Sequence, residues 1–112
     1  MSCGGRHYCV VIKRLPGVSR AEFLRIWLGE HRVLALELPG VMSVTFMPVS
    51  EDDERADGMG LLSFASQSDL ERALSSEAAR CLRAHTATFA DSATATRLVL
   101  RDAAGSFEEP SH

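Results

Sequence analysis

The chain has 112 residues, of which 46% are apolar and 24% charged, and a formal net charge of −3. That is the size and make-up of one globular domain with a single core. Twelve Lys and Arg against fifteen Asp and Glu leave no basic stripe for a nucleic acid, and no apolar run approaches the roughly 18 residues that cross a bilayer.

The start, MSCGGRHY, has no apolar h-region, so no secretory signal is expected and the cytoplasm is the expected compartment. Residues 1–6 read as a flexible lead, 7–101 as the folded domain and 102–112 as a polar tail. Tyr8–Leu15 (YCVVIKRL) is short, β-branched and apolar on both faces, which predicts a strand that turns at Pro16–Gly17. Ser19 and Glu22 form a capping box, and Phe23, Ile26, Trp27, Leu34 and Leu38 follow at helical spacing until Pro39–Gly40. Val41–Val49 and Met59–Ser66 read as two strands joined by an acidic loop, Ser50–Gly58, whose charges are expected in solvent. A second helical region runs from Asp69 to Leu74, is re-capped at Ser75–Glu77 and continues over Ala78–Phe89. Thr94–Arg101 is the last strand. The tail, with Phe107, is expected to be mobile or to lie on a neighbour.

Cys3, Cys9 and Cys81 are odd in number and lack metal-ligand spacing, so they read as buried or incidental thiols. There is no phosphate-cradling glycine loop, nucleophile elbow or H-E-x-x-H motif, and no bound metal or cofactor is expected.

The order is β-α-β-β-α-β: an α+β, ferredoxin-like arrangement of a four-stranded antiparallel sheet with both helices on one face. The strands nevertheless carry apolar residues on both faces, such as Val44 and Phe46 against Met47, and Leu98 and Leu100 against Val99. A sheet buried on both sides needs a second cover, so the chain is expected to form a homodimer through its sheet.

Three stretches carry a resemblance: KRLPGVSRAEFLRIWLGEH, the following LPGV, and DGMGLLSFAS at the third strand. Their most specific parts are the turn after Lys13–Arg14, the pair Trp27-x-x-x-His31, and Leu38-Pro39-Gly40. Together they resemble the EthD-type family of the dimeric α/β-barrel superfamily over nearly all of Tyr8–Arg101. The resemblance implies a homodimer whose two sheets form a barrel, with a small-molecule cavity between sheet and helices in each subunit. Similar domains occur in ether degradation, aromatic polyketide tailoring and lactone isomerisation, and the wider superfamily includes cofactor-free quinone-forming oxygenases and haem-degrading enzymes. A fold and a pocket are therefore implied more firmly than a reaction. The family usually continues His-x-Pro-Leu, whereas this chain reads His31-Arg32-Val33-Leu34, which leaves the helix without a proline kink.

At 100° per residue from Phe23, Glu30 falls at about −20° and His31 at about 80°, so both intrude on the apolar sector. Adjacent residues do not face each other on a helix, so each needs its own partner, water or a cavity. Position alone is met by a core histidine hydrogen-bonded across to the sheet; the family pattern favours a pocket-lining His31 that acts as a general acid or base. Trp27 is either plain core or one wall of a pocket for a planar ligand, with Tyr8, Phe46 and Phe64 as companions. Glu30 joins these as a substrate-binding candidate, its plainer reading being a carboxylate in an ion pair at the helix edge. His7 and His85 are expected at surface or helix-edge positions.

The expected function is cofactor-independent acid/base chemistry on a small aromatic or lactone-like molecule, in secondary metabolism or catabolism. The alternative is a non-catalytic module that holds a hydrophobic metabolite for a partner enzyme.

Overall fold

The computed structural model describes residues 4–105; Cys3 and the expectation placed on Phe107 lie outside the described residues. The elements are β1 (Arg6–Ile12), α1 (Arg20–Ile26), a π-helical turn (Trp27–His31), α2 (Arg32–Leu36), β2 (Val41–Pro48), β3 (Gly58–Phe64), α3 (Gln67–Leu74), α4 (Glu77–Thr86) and β4 (Thr96–Arg101). The strands form one antiparallel sheet in the order β2-β3-β1-β4, the ferredoxin-like arrangement.

The β-branched and apolar residues of β1 pair on both sides, Tyr8 opposite Leu62 and Val99, Cys9 opposite Leu61 and Leu98. Lys13–Leu15 leave the sheet, because Leu15 N–H turns to the Phe89 carbonyl at 3.1 Å instead of a strand partner. Gly17 then takes φ 90°, a left-handed conformation that disfavours other residues. Three helices, α1, α3 and α4, open on a serine: Ser19, Ser66 and Ser76 accept from the backbone N–H groups of Glu22, Asp69 and Ala79. The reciprocal arm of the expected capping box is not made. The Glu22 carboxylate accepts from Arg25 instead.

The helices lie over the sheet face that carries Tyr8, Val10, Ile12, Phe46 and Leu62. Two buried clusters form between the layers. One joins Ala35, Leu38, Leu62, Phe64, Leu70, Ala73 and Ala79; the other joins Ile12, Phe23, Trp27, Phe89 and Ala90. Phe46 packs against both. The opposite face is open, and Leu98, Met47 and Leu100 are 51%, 46% and 40% exposed. The edge strand β4 is exposed along its whole length. No described helix is long and apolar enough to cross a membrane.

The acidic loop departs from expectation at one residue. Asp57 is buried, accepting from the Arg14 backbone N–H at 2.8 Å and from the Arg14 and Arg20 guanidinium groups at 2.6 and 3.1 Å. A carboxylate leaves water when charged partners satisfy it, and Asp57 meets both arginines where the loop rejoins the sheet.

Candidate functional site

A cavity of about 240 Å³ lies between the two core clusters, walled by Ile12 and Trp27 from one and by Ala35, Leu38, Leu62 and Ala79 from the other. A cavity of that size suits a small ligand. Apolar walls dominate, and the polar groups are few: Tyr8, His31, Arg83, Thr86, Ser92 and Arg97.

The π-helical turn builds one wall. The buried residues of the first helix are Phe23, Trp27, His31 and Ala35, three steps of four residues, and Leu38 is buried just beyond its end. On an unbroken α-helix each four-residue step drifts by about 40°, and the stripe would leave the sheet. The wider turn over Trp27–His31 absorbs about one extra residue and resets the phase. His31 thereby takes the inward direction that regular spacing assigns to Glu30, and Glu30 is displaced into solvent. Contrary to the sequence expectation, Glu30 does not line the cavity, and its side chain is 72% exposed.

Trp27 lies flat on Phe46, ring centroids 4.6 Å apart and planes within 3°, and packs against Phe23 at 5.4 Å. A Cβ at Gly58 would overlap the Trp27 ring, so glycine there is what admits the indole to the sheet. Phe64 does not join this wall. It is buried among Leu62, Leu70 and Ala73 beneath α3, as solid core. Of the residues singled out from sequence, the structure brings Tyr8, Trp27, His31 and Phe46 to the cavity and leaves Phe64 and Glu30 outside it.

His31 is 6% exposed, and its Nδ1 lies 2.9 Å from Nδ1 of His85, so one of the two carries the shared hydrogen. Its Nε2 lies 3.4 Å from the Thr86 hydroxyl. The rings of His31 and His85 stack at 5.2 Å, and Phe89 meets His31 edge-on at 5.0 Å. Burial first, and the neighbouring His85 second, push the His31 pKa down to about 4. The imidazole is therefore neutral near pH 7, able to accept through one nitrogen and donate through the other.

His85 was expected at a surface or helix-edge position, with no role in the site. Instead it is half-buried on α4 and joins Glu30 to His31, with its Nε2 4.0 Å from Glu30 Oε2. The two adjacent helix residues thus share one partner. His7 does sit at a half-exposed position, bonded to Ser63 at 2.8 Å and Asp102 at 2.9 Å. Sequence reasoning also missed the cavity residues of α4, although Ala79, Leu82, Arg83 and Thr86 stand at the i, i+3, i+4, i+7 spacing of one helix face. Among the described residues, Arg83 and Arg97 donate only to backbone carbonyls, of Leu74 at 3.2 Å and Ser92 at 3.5 Å. No group of three His, Cys, Asp or Glu among the described residues could hold a metal ion.

Among solved structures, the chain is similar to an EthD family protein from Bacillus halodurans C-125, with a TM-score of 0.72 at 14% identity, covering 88% of this chain and 99% of that one. It is also similar to SnoaB, a cofactor-independent oxygenase from Streptomyces nogalater (TM-score 0.69, 12% identity, 95% and 99% covered). A third is a dimeric, ferredoxin-like protein of unknown function from Bacteroides fragilis NCTC 9343 (TM-score 0.67, 13% identity, 88% and 96% covered). At such identities the likeness establishes the fold alone. No curated protein matches the sequence. Residues 15–93, the stretch that builds the π-helical turn, His31 and His85, match the EthD domain, and the chain belongs to the EthD family.

Proposed function

We propose that the chain is a cofactor-independent enzyme that moves protons on a small aromatic or lactone-like molecule held between sheet and helices. One observation carries the reading: a neutral, buried, hydrogen-bonded histidine, His31, on the wall of a largely apolar cavity. Its Nδ1 is bonded to His85 and its Nε2 lies near the Thr86 hydroxyl, which holds the ring in place at the cavity wall. Isomerisation, cyclisation, dehydration and cofactor-free oxygenation share a first step, transfer of a proton beside a carbonyl or phenol. His31 is the general acid or base for that step. Trp27, Phe46 and Tyr8 hold the planar part of the substrate. Arg83 and Arg97 offer positive charge where an enolate or phenolate develops. A role in secondary metabolism, such as the tailoring of aromatic polyketides, agrees with the description of SnoaB as an oxygenase and with a structural neighbour described as a putative antibiotic biosynthesis monooxygenase.

The working unit is a homodimer joined through the open sheet face. Its exposed Leu98, Met47 and Leu100 support this, as do neighbours described as dimeric.

The test is conversion of a panel of hydroxylated aromatics and unsaturated lactones by wild type and His31→Ala, with folding followed by circular dichroism. Turnover is expected to fall by about 10²–10⁴-fold in the variant while ligand binding persists. Equal conversion by both proteins removes His31 from the chemistry. Binding without conversion by wild type across the panel makes the chain a carrier of a hydrophobic metabolite.

A further inference from the structure

We propose that Glu30 and His85 form a relay that carries protons between solvent and His31. The inference rests on the reading of His31 as the acid or base and adds to it the route by which the proton comes and goes. Three side chains step inward from solvent: Glu30 is 72% exposed, His85 21%, and His31 6%. Glu30 Oε2 stands 4.0 Å from His85 Nε2, and His85 Nδ1 stands 2.9 Å from His31 Nδ1.

The hydrogen bonds also set the direction. The Thr86 hydroxyl donates to the Leu82 carbonyl at 2.9 Å, the usual back-bond of a helical threonine. Its oxygen is then an acceptor for His31, whose Nε2 at 3.4 Å carries the hydrogen. A neutral His31 protonated on Nε2 presents a lone pair on Nδ1, so His85 must donate its Nδ1–H. That leaves His85 Nε2 free to take a further proton, facing the Glu30 carboxylate that favours it there.

Transfer then balances without a charged His31. His31 gives its Nε2 proton to the bound molecule and takes the Nδ1 proton of His85. His85 in turn takes a proton at Nε2 from a solvent water beside Glu30, and the hydroxide left behind passes to bulk solvent. Each ring ends neutral in its other tautomer, and the reverse sequence removes a proton from the substrate. This route suits a histidine whose burial disfavours the imidazolium. Glu30 and His85 are positioning residues, since neither lines the cavity. The other charged or titratable groups around the pair are Arg25 on α1, which feels Glu30, and the cavity-side Arg83, Arg97 and Tyr8.

The test is imidazole ¹⁵N NMR on histidine-labelled protein without any substrate. Near neutral pH the spectra are expected to report His31 as the Nε2–H tautomer and His85 as the Nδ1–H tautomer. Glu30→Gln, an exposed change, is expected to leave both tautomers in place and to slow exchange of the His85 ring hydrogen with solvent by about 1.4- to 5-fold. A His31 found as Nδ1–H, a His85 found as Nε2–H, or an exchange rate unmoved by Glu30→Gln would each overturn the relay. None of those results touches the turnover test of His31→Ala, so the two readings fail separately.

Discussion

Burial of His31 makes the fold sensitive to mild acid. The unfolded imidazole binds its proton near pH 6.5, whereas in the fold it does so only near 4. Stability is therefore complete above about pH 6.5 and is lost as pH falls from there towards 4, because the unfolded state takes up more protons. From that shift, about 2 kcal/mol is lost between about pH 7.5 and about pH 5, and roughly 3 kcal/mol below pH 4. For a domain of this length the first figure corresponds to a melting temperature lower by roughly 8 °C. Asp53, whose carboxyl Arg55 holds below the usual carboxylate range, acts only at lower pH. The assay is urea or thermal unfolding at the two pH values and one fixed protein concentration, for wild type and His31→Gln. Glutamine keeps a neutral partner for His85 and cannot titrate, so the acid loss is expected to shrink to less than half. An undiminished loss in His31→Gln, or none in wild type, would refute the account of a buried neutral histidine.

Asp57→Ala is expected to destabilise by roughly 3 kcal/mol in a denaturant titration, since it leaves the Arg14 and Arg20 guanidinium groups unpaired in a partly buried place. Loss of either arginine alone should cost less, because the other remains. Gly58→Ala drives a methyl group into the Trp27 ring; unfolding should show a loss of about 1–3 kcal/mol, and the emission of this single tryptophan should shift as its stack on Phe46 breaks. Leu98→Glu places a charge on the open sheet face; light scattering is expected to report two subunit masses for wild type, as the proposed dimer requires, and one for the variant.

Most of the fold was legible because its signals are local. Runs such as Val10-Val11-Ile12 define strands, serine caps start the helices, and Gly17 and Gly40 take the positive φ that turns require. The site was half legible. Trp27 and His31 stood at the right spacing, and Tyr8 and Phe46 lay on the strand faces that meet the helices. Glu30 was misplaced because a helical wheel assumes constant pitch. The wider turn at Trp27–His31 is a response to packing, with Trp27 against Gly58 and His31 against His85, residues far away in sequence. The contact between His31 and His85 spans 54 positions, and nothing local to His85 announces it. Asp57 shares its composition with its neighbours Glu51–Glu54, and only the approach of Arg14 and Arg20 distinguishes it. Phe64 alternates correctly for the helix-facing side of β3, yet α3 fills the space above it.

On the proposed function, one cavity bounded by Trp27 and His31 both binds and transforms a small aromatic molecule. Trp27 is the single tryptophan of the chain, so its fluorescence reports occupancy of that cavity directly. The most direct measurement is a titration of wild type and His31→Asn with a hydroxylated naphthalene or anthrone, following Trp27 quenching and product formation in the same samples. Saturable quenching in both proteins, with product formed by wild type and about 10²–10⁴-fold less by His31→Asn, is the predicted result. Product formed at equal rates by both proteins, or without any change in Trp27 emission, would contradict it.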